Sequence, residues 1–276
     1  MLRLWRDEVR IALCPGRVAL ARVARGWRPR VVAKHVVHCS GEATADWKPC
    51  VEALQTALQD PLLRDADATV VISNHFVRYA LVPWSEHLVS DDEKRAWVMH
   101  HFVKSYGEPA APMEYRWSEE GPDAACVASA IDGELIGQIR AACESASLRL
   151  RSVQPFLMAV FNRWKRRVAG NPAWIVVPEA GRVCIAAIAN GQWRAITSRK
   201  IGPDFQAELP LALGRELVLA DDAAAPAAVF AYAPEIAQLD FPDLPDVALK
   251  FLAPRALPGF SPHADAAYAI ALTGVA

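Results

Sequence analysis

Apolar and polar positions alternate along this chain in two stretches that echo each other. In the first, the apolar run Val9-Arg10-Ile11-Ala12-Leu13 meets a turn at Cys14-Pro15-Gly16. An alternating run to Ala24 follows, then a turn at Arg25-Gly26 and a third run from Arg30-Val31-Val32-Ala33. In the second, Trp174-Ile175-Val176-Val177 leads to Glu179-Ala180-Gly181, another alternating run, Asn190-Gly191, and Ala195-Ile196-Thr197-Ser198. Strand, glycine turn, strand, glycine turn, strand is the pattern of a β-meander. Residues 16–28 and 181–194 share Gly-Arg-Val, a run of Ala and β-branched residues, then Gly and Trp-Arg after one inserted residue. Two unrelated hairpins of similar composition would have to share those residues by chance; the repeat is read as a duplication.

Other segments change period. Trp47, Val51, Leu54 and Leu58 recur at helical spacing up to Asp60-Pro61, and Ala68–Ile72 reads as a buried strand. Phe76–Trp84 is an extended run stopped by Pro83. Asp91-Asp92-Glu93 then starts a helix with Ala96, Met99, Val103 and Tyr106 on one face. Two short strands are expected at 113–117 and 125–131. Asp132 caps a helix that turns Leu135, Ile139, Ala142 and Ala146 inward. A strand at 148–153 precedes a helix opened by Pro155 and ending in Arg163, Lys165, Arg166 and Arg167. After the second meander come a helix from Phe205 to Leu219 disturbed at Pro210, strands at 228–231 and 247–251, and a last helix from Ala264 to Thr273 capped by Ser261-Pro262. Residues 221–228 and 240–246 read as loops. These elements divide into a first lobe at 1–75, an α+β insert at 76–154 and a second lobe at 155–276.

Composition narrows the classes. At 53% hydrophobic and 22% charged, the 276-residue chain has the means to bury real cores and is not intrinsically disordered. Its 30 Lys+Arg against 31 Asp+Glu give no overall field for nucleic acid or an anionic membrane. Charge interrupts the N-terminal apolar residues, so no signal-peptide core is present, and no window approaches a membrane span. The six cysteines are scattered without a CxxC pair, as expected of buried thiols in a reducing cytoplasm.

The usual chemical motifs are missing. His35 and His38 fall on opposite faces of a strand, and His100-His101 diverge on a helix, so neither pair reads as a metal site. Residues 133–137 lack the third glycine of a dinucleotide loop, and no Gly-x-Ser-x-Gly occurs. The basic run at Arg163–Arg167 reads as a solvated helix C-terminus.

The two meanders, the insert and the Ala-rich C-terminus together resemble the actin-like ATPase superfamily. Within it, Val71-Ile72-Ser73-Asn74-His75-Phe76-Val77-Arg78-Tyr79 leading to Leu81-Val82-Pro83-Trp84 resembles the PilM-like scaffolds of type IV pilus machines and the GspL cytoplasmic domain of type II secretion. His263 to Leu272 is similar to their final helix. The resemblance implies an α/β, two-lobed actin-like (ribonuclease H-like) fold with a small α+β insert in the first lobe.

It also implies a cytoplasmic, non-catalytic scaffold, held peripherally at the inner membrane by the N-terminal tail of a bitopic, PilN-like partner. That tail would bind in the groove between the first lobe and the insert, bordered by Asn74, His75, Arg78, Tyr79 and Trp84. ATP-binding members carry Asp-x-Gly followed by Ser or Thr in the first turn, to cradle phosphate and reach Mg²⁺. Here that turn is Cys14-Pro15-Gly16-Arg17, with no carboxylate and one fewer N–H. The second is Pro178-Glu179-Ala180-Gly181-Arg182, with Glu179 its only acid. The Gly-Gly adenosine signature is absent from the region around Ala253-Pro254-Arg255 and Gly259. No catalytic residue, metal, ATP or other cofactor is therefore expected, nor nucleic acid or direct membrane insertion; a homodimer is left open. The alternative is an ATP-binding actin-like protein with unconventional phosphate loops. The missing carboxylate base argues against a kinase-like enzyme on the same fold.

Overall fold

The computed structural model describes residues 6–40, 46–109, 112–118, 121–168, 170–202, 204–219, 225–236 and 247–275. Strands β1 (Glu8–Cys14), β2 (Arg17–Ala24) and β3 (Arg30–His38) form the first meander, followed by helix α1 (Lys48–Ala57) and strands β4 (Asp67–Ile72) and β5 (Val77–Val82). Helix α2 (Asp91–Tyr106), β6 (Met113–Trp117), β7 (Cys126–Asp132), α3 (Gly133–Ser145), β8 (Arg149–Pro155) and α4 (Phe156–Val168) come next. The second meander is β9 (Ala173–Glu179), β10 (Arg182–Ala189) and β11 (Gln192–Lys200), before α5 (Phe205–Leu219), β12 (Ala228–Ala231) and β13 (Ala248–Phe251).

The two five-stranded sheets have the same topology. One runs β3-β2-β1-β4-β8 and the other β11-β10-β9-β12-β13, each an antiparallel meander extended by two parallel strands. Glu8–Cys14 and Arg17–Ala24 recur 165 residues later as Ala173–Glu179 and Arg182–Ala189. A β-bulge lies between Arg22 and Val23, and its counterpart, at the same offset, lies between Ala187 and Ile188. Bulges re-aim a strand and cost ladder pairing, so a shared bulge is strong support for duplication. One detail of the sequence alignment is corrected by this register. Val31 pairs with Val23 and Trp193 with Ile188, which makes Val31, not Trp27, the counterpart of Trp193. The tip of the first hairpin is three residues longer than the tight Asn190-Gly191 turn, where both residues have positive φ.

The chain divides into two compact units. The first takes the described residues up to Val77, Asp132–Arg163 and the described residues from Ala253 onward; the second takes Arg78–Ile131 and Trp164–Leu252. These borders differ from the expected 1–75, 76–154 and 155–276. The reason is pairing: β8 runs parallel to β4 and completes the first sheet, and residues 257–272 pack on β2 and β3. In the first unit β1 and β4 are buried along their whole length, as parallel-sheet interior strands should be. Gly259 docks there on Val31, where any Cβ would sit 2.1 Å from the Val31 carbonyl oxygen. In the second, Trp174, Val176, Ile185, Leu209, Leu213 and Val229 form the core between sheet and α5.

Two helical expectations are corrected. The buried face of α2 holds Val98 and Phe102, not Ala96 and Met99, because Phe102 packs edge-on against Tyr115 at 5.3 Å. Residues 264–273 form successive turns around a single 3₁₀ stretch, Ala266–Tyr268, rather than an α-helix. The backbone bonds here fall mostly three residues apart, Tyr268 N to Asp265 O, Ala269 N to Ala266 O and Thr273 N to Ile270 O, and Arg10 donates to the carbonyls of Ala271 and Thr273. Asp132 does cap α3, accepting from Glu134 N at 2.8 Å, with Leu135, Ile139 and Ala142 buried. Residues 221–224 and 240–246, read as loop, lie outside the described residues.

Candidate functional site

The two glycine turns sit at equivalent ends of β1–β2 and β9–β10. Gly16 and Gly181 have φ of 79° and 82°, a conformation costly for any residue with a Cβ. Cys14 pairs with Arg17 and Glu179 with Arg182, so each turn is only two residues long. Each carbonyl at the glycine is already engaged: Cys39 N donates to Gly16 O at 2.9 Å and Ile201 N to Gly181 O at 3.1 Å. Pro15 supplies no N–H. Glu179 is buried, and Arg182 donates to the Ser198 hydroxyl at 3.0 Å. Beside the first turn Cys50 donates to the Cys14 carbonyl, with its Sγ 3.4 Å from that of Cys39; burial pushes the Cys50 thiol up to about 12. The first turn is thus bordered by thiols and an arginine rather than hydroxyls and a carboxylate. Among the described residues no group of three or more His, Cys, Asp or Glu is placed to hold a metal ion.

The five residues expected to border a partner groove have different environments. Asn74 is fully buried and its Oδ1 accepts from Leu157 N at 3.0 Å, fixing the start of α4. His75 is half-buried in the short 3₁₀ turn capped by Ser73. Tyr79 is buried within β5, and Arg78 lies over the Tyr106 ring at 5.4 Å. Trp84, 43% exposed, lines a cavity. The structure therefore gives Asn74 and Tyr79 structural surroundings and leaves Trp84 as the member facing open space.

That cavity, of about 180 Å³, lies within the insert, at one end of the sheet β5-β7-β6. Trp84, Trp97 and Trp117 line it together with Pro83, Leu88 and Cys126, and Lys94 stands among them. Trp97 Nε1 donates to the Pro83 carbonyl at 3.1 Å, which holds one wall. The helix carrying Lys94 and Trp97 starts at a capping box: Ser90 Oγ accepts from Glu93 N, and Glu93 Oε2 accepts from Ser90 N at 2.8 Å. Sequence reading missed Trp97, Trp117 and Lys94 because α2 and β6, which carry them, are separate from Trp84 in sequence and meet it only in the fold. A second feature concerns the outer side of β5. The Tyr106 hydroxyl donates to the Tyr79 carbonyl at 2.7 Å and lies 3.4 Å from the Tyr79 N–H that donates to it. Burial raises the Tyr106 phenol above its ordinary value, so it stays a neutral donor.

No family model and no curated protein matches the chain. Solved structures do. A structure described as the "PilM-PilN type IV pilus biogenesis complex" matches over 96% of both chains at 14% identity, with a TM-score of 0.68. The cytoplasmic domain of EpsL, an inner-membrane component of the type II secretion system of Vibrio cholerae, matches over 93% of this chain and 91% of its own at 8% identity, TM-score 0.62. A Bacteroides thetaiotaomicron protein described as having an actin-like ATPase fold and unknown function matches over 83% and 81% at 9% identity, TM-score 0.55. The fold is that of the actin-like ATPases. Within that class it is similar to PilM and to the EpsL cytoplasmic domain along nearly its whole length. Among the described residues no helix is long and apolar enough to cross a membrane.

Proposed function

We propose that this chain is a non-catalytic actin-like scaffold of a type IV pilus or type II secretion-like assembly, which holds the N-terminal cytoplasmic tail of a bitopic, PilN-like membrane protein. It works at the cytoplasmic face of the inner membrane and reaches the membrane system through that partner. The observation that carries the non-catalytic reading is the first turn: Cys14-Pro15-Gly16-Arg17 offers no carboxylate or hydroxyl, lacks the Pro15 N–H, and has the Gly16 carbonyl engaged by Cys39. Such a turn is poorly suited to cradle phosphate or direct a Mg²⁺ water shell. Similarity to a structure described as a PilM-PilN complex supports the partner class.

Peptide tails dock by strand addition or by placing side chains in pockets. The Tyr106 hydroxyl engages both backbone groups of Tyr79, which argues against strand addition at that point of β5. The tryptophan cavity has room for one large apolar side chain, and Lys94 favours a neighbouring carboxylate. Trp84 is then the working member of the expected set, while Asn74 holds the start of α4 and Arg78 and Tyr79 meet Tyr106. The test is fluorescence anisotropy with a synthetic peptide of the PilN-like tail from the same organism. Trp84→Ala should weaken binding at least about tenfold, while Tyr106→Phe should leave it nearly unchanged. Equal affinity for the wild type and Trp84→Ala would remove the cavity from the account.

A further inference from the structure

We infer that the tip of the first hairpin, Arg25-Gly26-Trp27-Arg28-Pro29-Arg30, is a contact site for an anionic bilayer surface. Trp27 is 99% exposed, whereas Trp84 is at 43% and Trp174 and Trp193 are at 1% and 4%. An indole held entirely in water forgoes the burial that Trp174 and Trp193 obtain. It is not a core residue pushed aside by the fold. The β-bulge register makes Val31, at 7% exposure, the counterpart of Trp193, so the core position in this hairpin is already filled. Trp27 belongs instead to the lengthened tip, which the second hairpin closes with Asn190-Gly191 alone.

The surrounding charge selects the occupant. Arg25, Arg28 and Arg30 are exposed residues flanking the indole. Arg25 is anchored to Glu8 at 2.7 Å, which ties the base of the tip to β1, and Pro29 restricts its other side. Arg28 and Arg30 form no ion pair among the described residues, so their guanidinium groups are available to phosphate. An indole flanked by arginines suits the boundary of an anionic membrane, where the ring sits at headgroup level and the guanidinium groups meet lipid phosphate. A strand of nucleic acid would call for a groove with successive stacking rings, and this tip offers one protruding ring. Contact of this kind is shallow and does not amount to insertion. It becomes effective when another tether supplies local concentration, because a single such signal binds membranes only marginally. The inference rests on the hairpin alone and is independent of the tail-binding reading.

The experiment is cosedimentation of the full chain with vesicles of mixed phosphatidylglycerol and phosphatidylethanolamine, against vesicles of phosphatidylcholine only, at low and at physiological salt. Binding is expected to the anionic vesicles and to weaken with salt. Trp27→Ala should lower the partition coefficient several-fold. Arg28→Gln with Arg30→Gln should lower it about twenty-five-fold, roughly fivefold for each arginine. All three side chains are in solvent, so thermal unfolding of these variants should match the wild type, and tail-peptide affinity should be unaltered. Equal partitioning into both vesicle types would overturn the inference, as would anionic binding unaffected by the variants. So would a Trp27-dependent affinity for a single-stranded oligonucleotide as strong as that for the vesicles.

Discussion

Replacing Arg10 by methionine should loosen the C-terminal segment from the first sheet. The side chain lies on β1 with 7% of its surface exposed, and it donates to Ala271 O at 2.9 Å, to Thr273 O and to Glu8 Oε1 at 3.3 Å. Removing one member of a buried ion pair costs about 3–5 kcal/mol, mostly for the charge left behind. Glu8 would retain the Thr69 hydroxyl at 2.6 Å and Arg25 at 2.7 Å, which pulls the figure to the lower end. Two carbonyls lose their donors, each worth about 1–3 kcal/mol when left dry, but the neighbouring Gly274 is exposed and lets water reach them. The net expectation is a loss of about 3 kcal/mol in urea unfolding, with faster amide exchange concentrated at residues 266–275. Glu8→Gln added to Arg10→Met should recover part of the loss, since it removes the stranded charge. A loss below about 1 kcal/mol, with unchanged exchange at the C-terminal turns, would show that the apolar contacts of Leu257, Phe260 and Leu272 hold the segment without Arg10.

Three further outcomes follow from the same structure. Native thiol titration at pH 8 should label Cys126 and, more slowly, Cys39, while the buried Cys14, Cys50, Cys143 and Cys184 react only on unfolding; rapid labelling of more than two thiols would contradict this burial. Glu8 is pushed up by burial but held below its usual value by Arg10, Thr69 and Arg25 together; Asp67 is held down by Arg149, and Asp265 by Lys34. Their stabilisation is present above the unfolded carboxyl pKa values, about 3.9 for Asp and 4.3 for Glu, and is lost as pH falls through the lower folded values. Urea midpoints should therefore drop below about pH 4, and replacing Asp67 by Asn should flatten that drop. Mg-ATP at millimolar concentration should leave the unfolding temperature unchanged, whereas a ligand at 100 times its Kd adds about 2.7 kcal/mol; a Mg-dependent rise would favour the ATP-binding alternative.

The meanders were legible in the sequence because strand runs and glycine turns are local signals. Gly16 and Gly181 mark positions that need positive φ, and the repeated Gly-Arg-Val points to the same hairpin twice. The shared bulge is invisible in sequence, so the shared Trp-Arg aligns Trp27 with Trp193, four residues short of the true counterpart Val31. Partner strands far apart in the chain were harder: β8 joins β4 through pairing that no periodicity announces. The face of α2 was misread because apolar residues occur on several sides of it, and only Tyr115 and Ala128 decide which side is buried. The C-terminal residues have the composition of a helix, but their backbone bonds close mostly three residues apart and their carbonyls serve a distant guanidinium. At the candidate site, the run ending in Pro-Trp marks Trp84 in the sequence, but its cavity companions Trp97 and Trp117 needed the fold to bring α2 and β6 together.

We propose that this chain works by holding a partner's tail rather than by using nucleotide. Calorimetric titration of the full chain with the PilN-like N-terminal peptide, with and without Mg-ATP, separates the two. Saturable binding in the micromolar range is expected, with the same affinity in both conditions and no heat of nucleotide turnover. Binding no tighter than millimolar, or binding that requires Mg-ATP, would contradict it.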